Sequence, residues 1–302
     1  MRALRWLEVS ADYRCNNRCL GCFSARDDGP SLTTTQIADQ LARARQRGAR
    51  SLWLGGGEPT LRKDLLALVK HARKLGFDRV RLQTNGMLLS YAEFTAALVS
   101  AGVTEVSFSI KGSSAATHDR LTSTPGCYAL MLAGVAQVRR HGLPMSGDLL
   151  IYRSNLSELV AMVQSHFALG LSRFDVWMFS AADSNDPALE QEMPRYRDVA
   201  CEVARALELG LSDAHDFITS LHTPPCTLPA SLRGSAFLAR ELDLWVVDPG
   251  GHGFFLEESA IEGGVFLERC KGCELRGRCG GARGIYLRAF GDDELVPVCA
   301  EP

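Results

Sequence analysis

Cys15, Cys19 and Cys22 fall within eight residues of one another, in YRCNNRCLGCF (13–23). Thiolates so spaced bind soft metals, yet three are one short of closing a tetrahedral zinc site. The C-x3-C-x2-C spacing also departs from the C-x2-C-x2-C run of bacterial ferredoxins. Three thiolates can hold a cubane iron–sulfur cluster by three of its irons. The fourth iron is then open to a substrate or cofactor, by the logic that separates catalytic from structural zinc. The competing readings are three buried cysteines, or a zinc clip whose fourth ligand lies elsewhere.

A second group of thiols lies near the other end. Cys270, Cys273 and Cys279 give C-x2-C-x5-C in CKGCELRGRC, and Cys299 follows twenty residues later. Four cysteines suffice to close a site, as a structural zinc knot or a closed iron–sulfur cluster. Cys201, in DVACEVARAL, reads as a core residue, and Cys127, after the turn TPG, as a small buried one. Cys226, in TPPCTLP, sits where two prolines hold the backbone extended. It is open between a cluster ligand, a thiol giving a hydrogen atom to a substrate radical, and a buried side chain. LGGGEPT (54–60) brings Gly56, Gly57, Glu58 and Pro59 together. Glycines let backbone approach a ligand, and Glu58 can accept hydrogen bonds from an ammonium group.

These residues need elements to hold them. Apolar runs at 4–10, 51–55, 79–84, 105–110, 147–152 and 173–179 read as strands, and helix-period stretches separate them, each closing on a glycine. Thr33 to Thr35 and Asp64 are candidate N-caps. Such β/α units imply a parallel sheet covered by helices, doubly wound or as a full or partial barrel. Either way the chemistry belongs at the carboxyl ends of the strands, and both LGGGEPT and the first cysteine group follow a strand directly. From AADSNDP (181–187) onward the pattern changes to a helix over 196–210, irregular chain around His222 to Cys226, one strand in LDLWVVDP and a Gly- and Cys-rich end. The expected boundary divides 1–185 from 186–302.

The 302 residues suffice for a large core, and 46% hydrophobic with 23% charged is ordinary for a globular enzyme. A net charge of −2 gives no broad footprint for nucleic acid, and no apolar run is long enough to span a bilayer. No signal peptide is evident, so the ten cysteines are expected in a reducing cytoplasm.

C-x3-C-x2-C after strand one, with GGEP after strand two, resembles the radical S-adenosylmethionine superfamily. The resemblance covers about 180 residues and implies a partial (β/α)6 TIM-like barrel, an α/β fold, whose Cys15, Cys19 and Cys22 hold a 4Fe–4S cluster. It implies that the amino and carboxylate groups of S-adenosylmethionine chelate the open iron and that the Gly56–Pro59 loop binds the amino group. One electron then cleaves the sulfonium, and a 5′-deoxyadenosyl radical abstracts a substrate hydrogen. Gln83, Thr84, Asn85 and Gly86 resemble the family's TNG segment, Ser107 and Ser109 the positions that reach the ribose, and Arg153 and Asn155 polar groups near the adenosyl and carboxylate moieties. Two places depart: Lys111 stands where members often carry an acid. Gly21 stands where many carry an aromatic, with Phe23 one place beyond the last cysteine. C-x2-C-x5-C followed by CGGAR resembles the SPASM and twitch extensions. These imply a second, auxiliary 4Fe–4S cluster on Cys270, Cys273, Cys279 and Cys299. Arg283 replaces a further SPASM cysteine.

The implied partners are S-adenosylmethionine, a peptide or small-molecule substrate and an external one-electron donor of flavodoxin or ferredoxin type, with no nucleic acid and no membrane. The expected activity is modification of a ribosomal peptide or protein. The alternatives are an oxidase or epimerase of a small molecule such as an aminoglycoside, and a non-catalytic iron–sulfur or zinc scaffold. Strand one begins close to Met1, which predicts no amino-terminal module for gripping a leader peptide.

Overall fold

The computed structural model describes residues 2–22, 29–181, 186–236, 238–259 and 264–299. The expected boundary at residue 185, and Phe23, lie outside them. Among the described residues, nine strands form one sheet: β1 Trp6–Ser10, β2 Ser51–Gly55, β3 Arg79–Thr84, β4 Glu105–Ile110, β5 Met145–Ile151, β6 Arg173–Met178, β7 Ile218–Leu221, β8 Leu244–Val247 and β9 Gly253–Phe255. Their order is β7-β6-β5-β4-β3-β2-β1-β8-β9, all parallel except the β8–β9 pair.

Helices α1 Thr34–Gln46, α2 Leu65–Lys74, α3 Ala92–Ala101, α4 Ala115–Thr122, α5 Cys127–Arg140 and α6 Leu159–Ala168 lie between the first six strands. Beyond them come α7 Pro187–Gln191, α8 Tyr196–Leu207 and α9 Gly284–Phe290. Among the described residues, no helix is long and apolar enough to cross a membrane. The α1 start is a capping box of Thr33 and Gln36. Asp64 precedes α2 without capping it; its carboxylate takes Arg62 and the Thr34 hydroxyl instead. The predicted glycine stops hold, with Gly48, Gly76, Gly102 and Gly170 all at positive φ.

Leu7, Leu52, Val80, Val106, Leu149 and Val176 turn outward to the helices and are fully or almost fully buried. The other face curls inward. Arg81 on β3 reaches Asp175 on β6 at 3.0 Å, although three strand spacings in a flat sheet would be about 14 Å. Trp177 of β6 packs against the cluster of Trp53, Leu244 and Val246 on β2 and β8. The sheet is thus an open, unclosed partial barrel with β7 and β9 at its edges.

The sequence reading missed α4, α7, α9, β7 and β9. It also misplaced Cys201, which is exposed. The buried stripe of α8 is Tyr196, Val199, Ala200, Val203 and Ala206, and position 201 lies about 100° off it.

Candidate functional site

The ends of β1, β2 and β3 are knitted together. Gly57 N–H donates to the Asp12 carbonyl at 2.8 Å and Glu58 N–H to the Arg14 carbonyl at 2.8 Å. A methyl on Gly57 would lie 2.1 Å from the Arg14 oxygen, and one on Gly56 (φ +107) 2.9 Å from the Asp12 oxygen. The glycines therefore admit the backbone of the cysteine loop itself.

Glu58 is 1% exposed. Its Oε1 accepts from Thr60 N–H (3.0 Å), the Thr60 hydroxyl (2.6 Å) and the Thr84 hydroxyl (2.7 Å), and its Oε2 from Asn85 N–H (2.7 Å). Burial pushes this carboxyl up from its ordinary value, and those donors oppose the shift. Glu58, expected to face an ammonium group, instead clamps β2 to β3. Pro59 opens the 3₁₀ turn Pro59–Leu61 beside it. Asn85 Nδ2 bonds Asn16 Oδ1 at 2.7 Å and approaches Cys15 Sγ at 3.9 Å.

The cysteine loop is tied down on its far side as well. Arg18 and Leu20 N–H donate to the Thr122 and Leu121 carbonyls of α4, and the Tyr152 hydroxyl to the Leu20 carbonyl. Phe179, stacked on Tyr152, has its ring within 2.6 Å of where a side chain on Gly21 would begin. The ring of Phe179, which directly follows β6, thus fills the space beside Gly21, a contact invisible to a motif read along the chain.

Burial pushes the Cys15 thiol up to about 11, and nearby Glu58, Cys19 and Cys22 add to the shift. A bound metal centre reverses that balance by stabilising the thiolates. Among the described residues, no three of His, Cys, Asp or Glu converge at single-ion spacing. Three soft thiols brought together in one loop suit an iron–sulfur group by the chemistry of the donor set.

The other predicted residues divide. Ser107 is fully buried and accepts from Arg81 Nη2 at 2.9 Å, below the strand ends. Ser109, one layer higher, accepts from Lys111 Nζ at 2.8 Å. Asn155 is spent on the chain, bonding the Lys111 and Leu150 carbonyls and Tyr152 N–H. Arg153 is exposed.

At the carboxyl-terminal end, Cys226, Cys270, Cys273 and Cys279 line one cavity with apolar neighbours such as Pro225, Phe266 and Leu295. Four soft thiols without a lining carboxylate suit an iron–sulfur group or zinc. Cys299 is exposed and outside that lining, though the Val298 carbonyl accepts from Glu274 N–H at 2.9 Å. Burial pushes the Cys226 thiol up to about 11, with Cys279, Cys273 and Cys270 adding to it.

An open α/β barrel with clustered thiols at the carboxyl ends of its strands is a scaffold for cofactor chemistry. The Radical SAM superfamily model matches residues 11–165, and the chain belongs to that superfamily. The family implies a 4Fe–4S cluster and S-adenosylmethionine. The chain is 31% identical over 202 residues to PqqA peptide cyclase of Rhodopseudomonas palustris, covering 65% of this chain and 53% of that protein. It is 29% identical over 201 residues to AdoMet-dependent heme synthase of Methanosarcina barkeri, covering 66% and 56%. It thus spans about half the length of these curated relatives. Among solved structures it resembles Streptococcus suis SuiB bound to precursor peptide SuiA, with TM-score 0.58 and 14% identity over 69% of this chain and 46% of that one. A second is anSMEcpe with bound AdoMet and Cp18Cys peptide, with TM-score 0.55 and 16% identity over 68% and 59%.

Proposed function

We propose that the chain is an enzyme that cleaves S-adenosylmethionine reductively and takes a hydrogen atom from a peptide or protein substrate. The observation that carries this reading is the docking of the Gly56–Glu58 turn against the backbone of the cysteine loop, at one mouth of the barrel. Cys15, Cys19 and Cys22 would hold the 4Fe–4S cluster there. When bound, that cluster and S-adenosylmethionine supply one-electron cleavage and hydrogen abstraction. The chain's own part is to fix the mouth. Glu58 and Thr84 lock two strand ends, Asn85 presents its amide to the Cys15 sulfur, and Phe179 and Tyr152 pack the loop from behind. Electrons come from an external donor of flavodoxin or ferredoxin type.

The similarity to PqqA peptide cyclase supports a peptide substrate. A match of similar extent to AdoMet-dependent heme synthase favours a second reading, a small-molecule substrate. Residues 1–185 form the catalytic unit in this proposal and 186–302 a twitch- or SPASM-like extension. That extension holds an auxiliary 4Fe–4S cluster through Cys270, Cys273 and Cys279. The shared cavity favours Cys226 as the fourth ligand over Cys299, the partner expected from spacing.

Two measurements test the reading. Electron paramagnetic resonance of the reduced protein should change on adding S-adenosylmethionine, and an unchanged signal contradicts the proposal. Reconstituted protein should carry about eight irons for two cubanes. Cys226→Ala should lower this to about four and Cys299→Ala should leave it near about eight; about four irons with one zinc in the wild type overturns the auxiliary cluster.

A further inference from the structure

A short turn, not a helix, follows β8 and leads into β9, so the outer side of this sheet edge lies open beside α1. Trp245, in register with Leu7, faces outward there. A cavity of about 440 Å³ runs between this edge and the carboxyl-terminal half of α1, with Leu4, Gln40, Arg43, Arg47, Trp245 and Gly253 in its wall. Among the described residues no carboxylate lines it.

Arg47 closes α1, and its carbonyl accepts from Leu4 N–H at 3.0 Å, which fixes it against the start of β1. Its guanidinium lies 4.6 Å from the Trp245 ring centroid, a stack that holds the charge over the groove. Among the described residues Arg47 Nε is buried with no hydrogen-bond partner, and neither Arg47 nor Arg43 has a carboxylate within ion-pair distance. Arg2 shows the contrast at the same edge: stacked on Phe255, it is paired with both Asp243 and Glu257. Guanidinium groups held in place without a counterion offer their donors to a ligand carboxylate. Gln40 and Gln46 add side-chain amides that can pair with a peptide backbone.

The spacing fits an extended chain. Arg43 and Arg47 are four residues apart on α1, about 6 Å along its axis. Carboxylates on alternate residues of an extended peptide are about 6.5–7 Å apart. The groove also leads toward the reaction. Helix α1 starts on the mouth side, since it follows β1, and a methyl on Gly251 in the cavity wall would meet Leu32, just before that start, at 3.8 Å. The 13 residues of α1 span about 20 Å, the reach of about six extended residues. We propose that this groove binds an extended acidic segment of the peptide or protein substrate, apart from the residue that is modified. The inference rests on the substrate class proposed above.

A fluorescein-labelled peptide of alternating Glu and Val, and its Gln–Val counterpart, are titrated into the cluster-loaded protein and followed by fluorescence anisotropy. The wild type should bind the Glu–Val peptide at least about tenfold more tightly than the Gln–Val one. Arg43→Gln/Arg47→Gln should weaken the Glu–Val peptide about tenfold. Arg139→Gln/Arg140→Gln, which removes the same charge from the exposed end of α5, should leave it within about twofold. If loss of the Arg47 stack unfolds the first double variant, Arg43→Gln alone, at an exposed position, is judged by a loss of about threefold or more. No binding of the Glu–Val peptide by the wild type, equal affinity for both peptides, or equal loss in the two double variants overturns the proposal. A wild-type dimer that Arg43→Gln/Arg47→Gln dissociates assigns the groove to a second copy of the chain and overturns it too. Wild type that forms no 5′-deoxyadenosine from S-adenosylmethionine brings down the catalytic reading itself, a result distinct from all of these.

Discussion

Two residues show how tightly the mouth is specified. Gly57 has no room for a side chain, because the Arg14 carbonyl lies 2.1 Å from where a methyl would stand. Gly57→Ala should cost about 1–3 kcal/mol or more by overpacking, and should lower iron loading by displacing the cysteine loop. Gly234→Ala, with nothing within 4 Å, is the control. Equal melting temperatures and iron contents for the two variants would contradict this. His118 gives a pH signature. Its pKa is held at about 3 in the folded protein against an ordinary 6.5, so between those values the unfolded chain binds a proton that the folded chain does not. Its contribution is complete above pH 6.5 and is lost as pH falls toward 3. His118→Asn keeps an acceptor for Lys111 N–H and should give a flatter fall of unfolding free energy across that range in urea titrations. A slope like the wild type's would refute this account of His118.

At the scale of elements, the inner face of the strands carries a buried ionic layer. Arg81 Nη2 donates to Ser107, Asp148 and Asp175, and its guanidinium lies 4.3 Å from the Trp53 ring centroid. Burial pushes the Asp175 carboxyl up, and Arg81 opposes this. Arg81→Met should destabilise by about 3–5 kcal/mol, since it leaves two buried carboxylates with only Gln83 on Asp148 and Arg173, at 3.6 Å, on Asp175. The triple variant with Asp148→Asn and Asp175→Asn should recover much of that in chemical unfolding, and a triple no better than the single would argue against the network. This layer was not legible in RVRLQT or GDLLIY, because its partners meet only once the sheet curls. The six leading strands were legible from their apolar runs, and so was the order of the cysteine and glycine loops. Helix α4 was missed although Ser114 caps it and His118, Leu121 and Thr122 form its buried face. Its signal is short and mostly polar. Strands β7 and β9, of four and three residues, are too brief for an alternation to register. The role of Glu58 as a clamp was likewise hidden, since its donors Thr84 and Asn85 are 26 and 27 residues away.

For the whole molecule, the carboxyl-terminal third extends the sheet at both edges, β7 on β6 and β8 on β1. Trp177, Trp53, Leu244 and Val246 pack together inside the curled sheet. The first thiol group stands at the strand ends, while the second is gathered near Cys226 by the chain beyond β6. Under the proposed function, the three cysteines beside the glycine-built turn leave a ligand position for the reaction, and the four in the apolar cavity close a supporting site. The most direct measurement is 5′-deoxyadenosine formed by anaerobically reconstituted, dithionite-reduced protein supplied with S-adenosylmethionine. The account predicts that the wild type forms it and that Cys15→Ala/Cys19→Ala/Cys22→Ala, still carrying about four irons in its carboxyl-terminal cluster, does not. Iron-replete wild type that forms none, or a triple variant that forms as much, would contradict it.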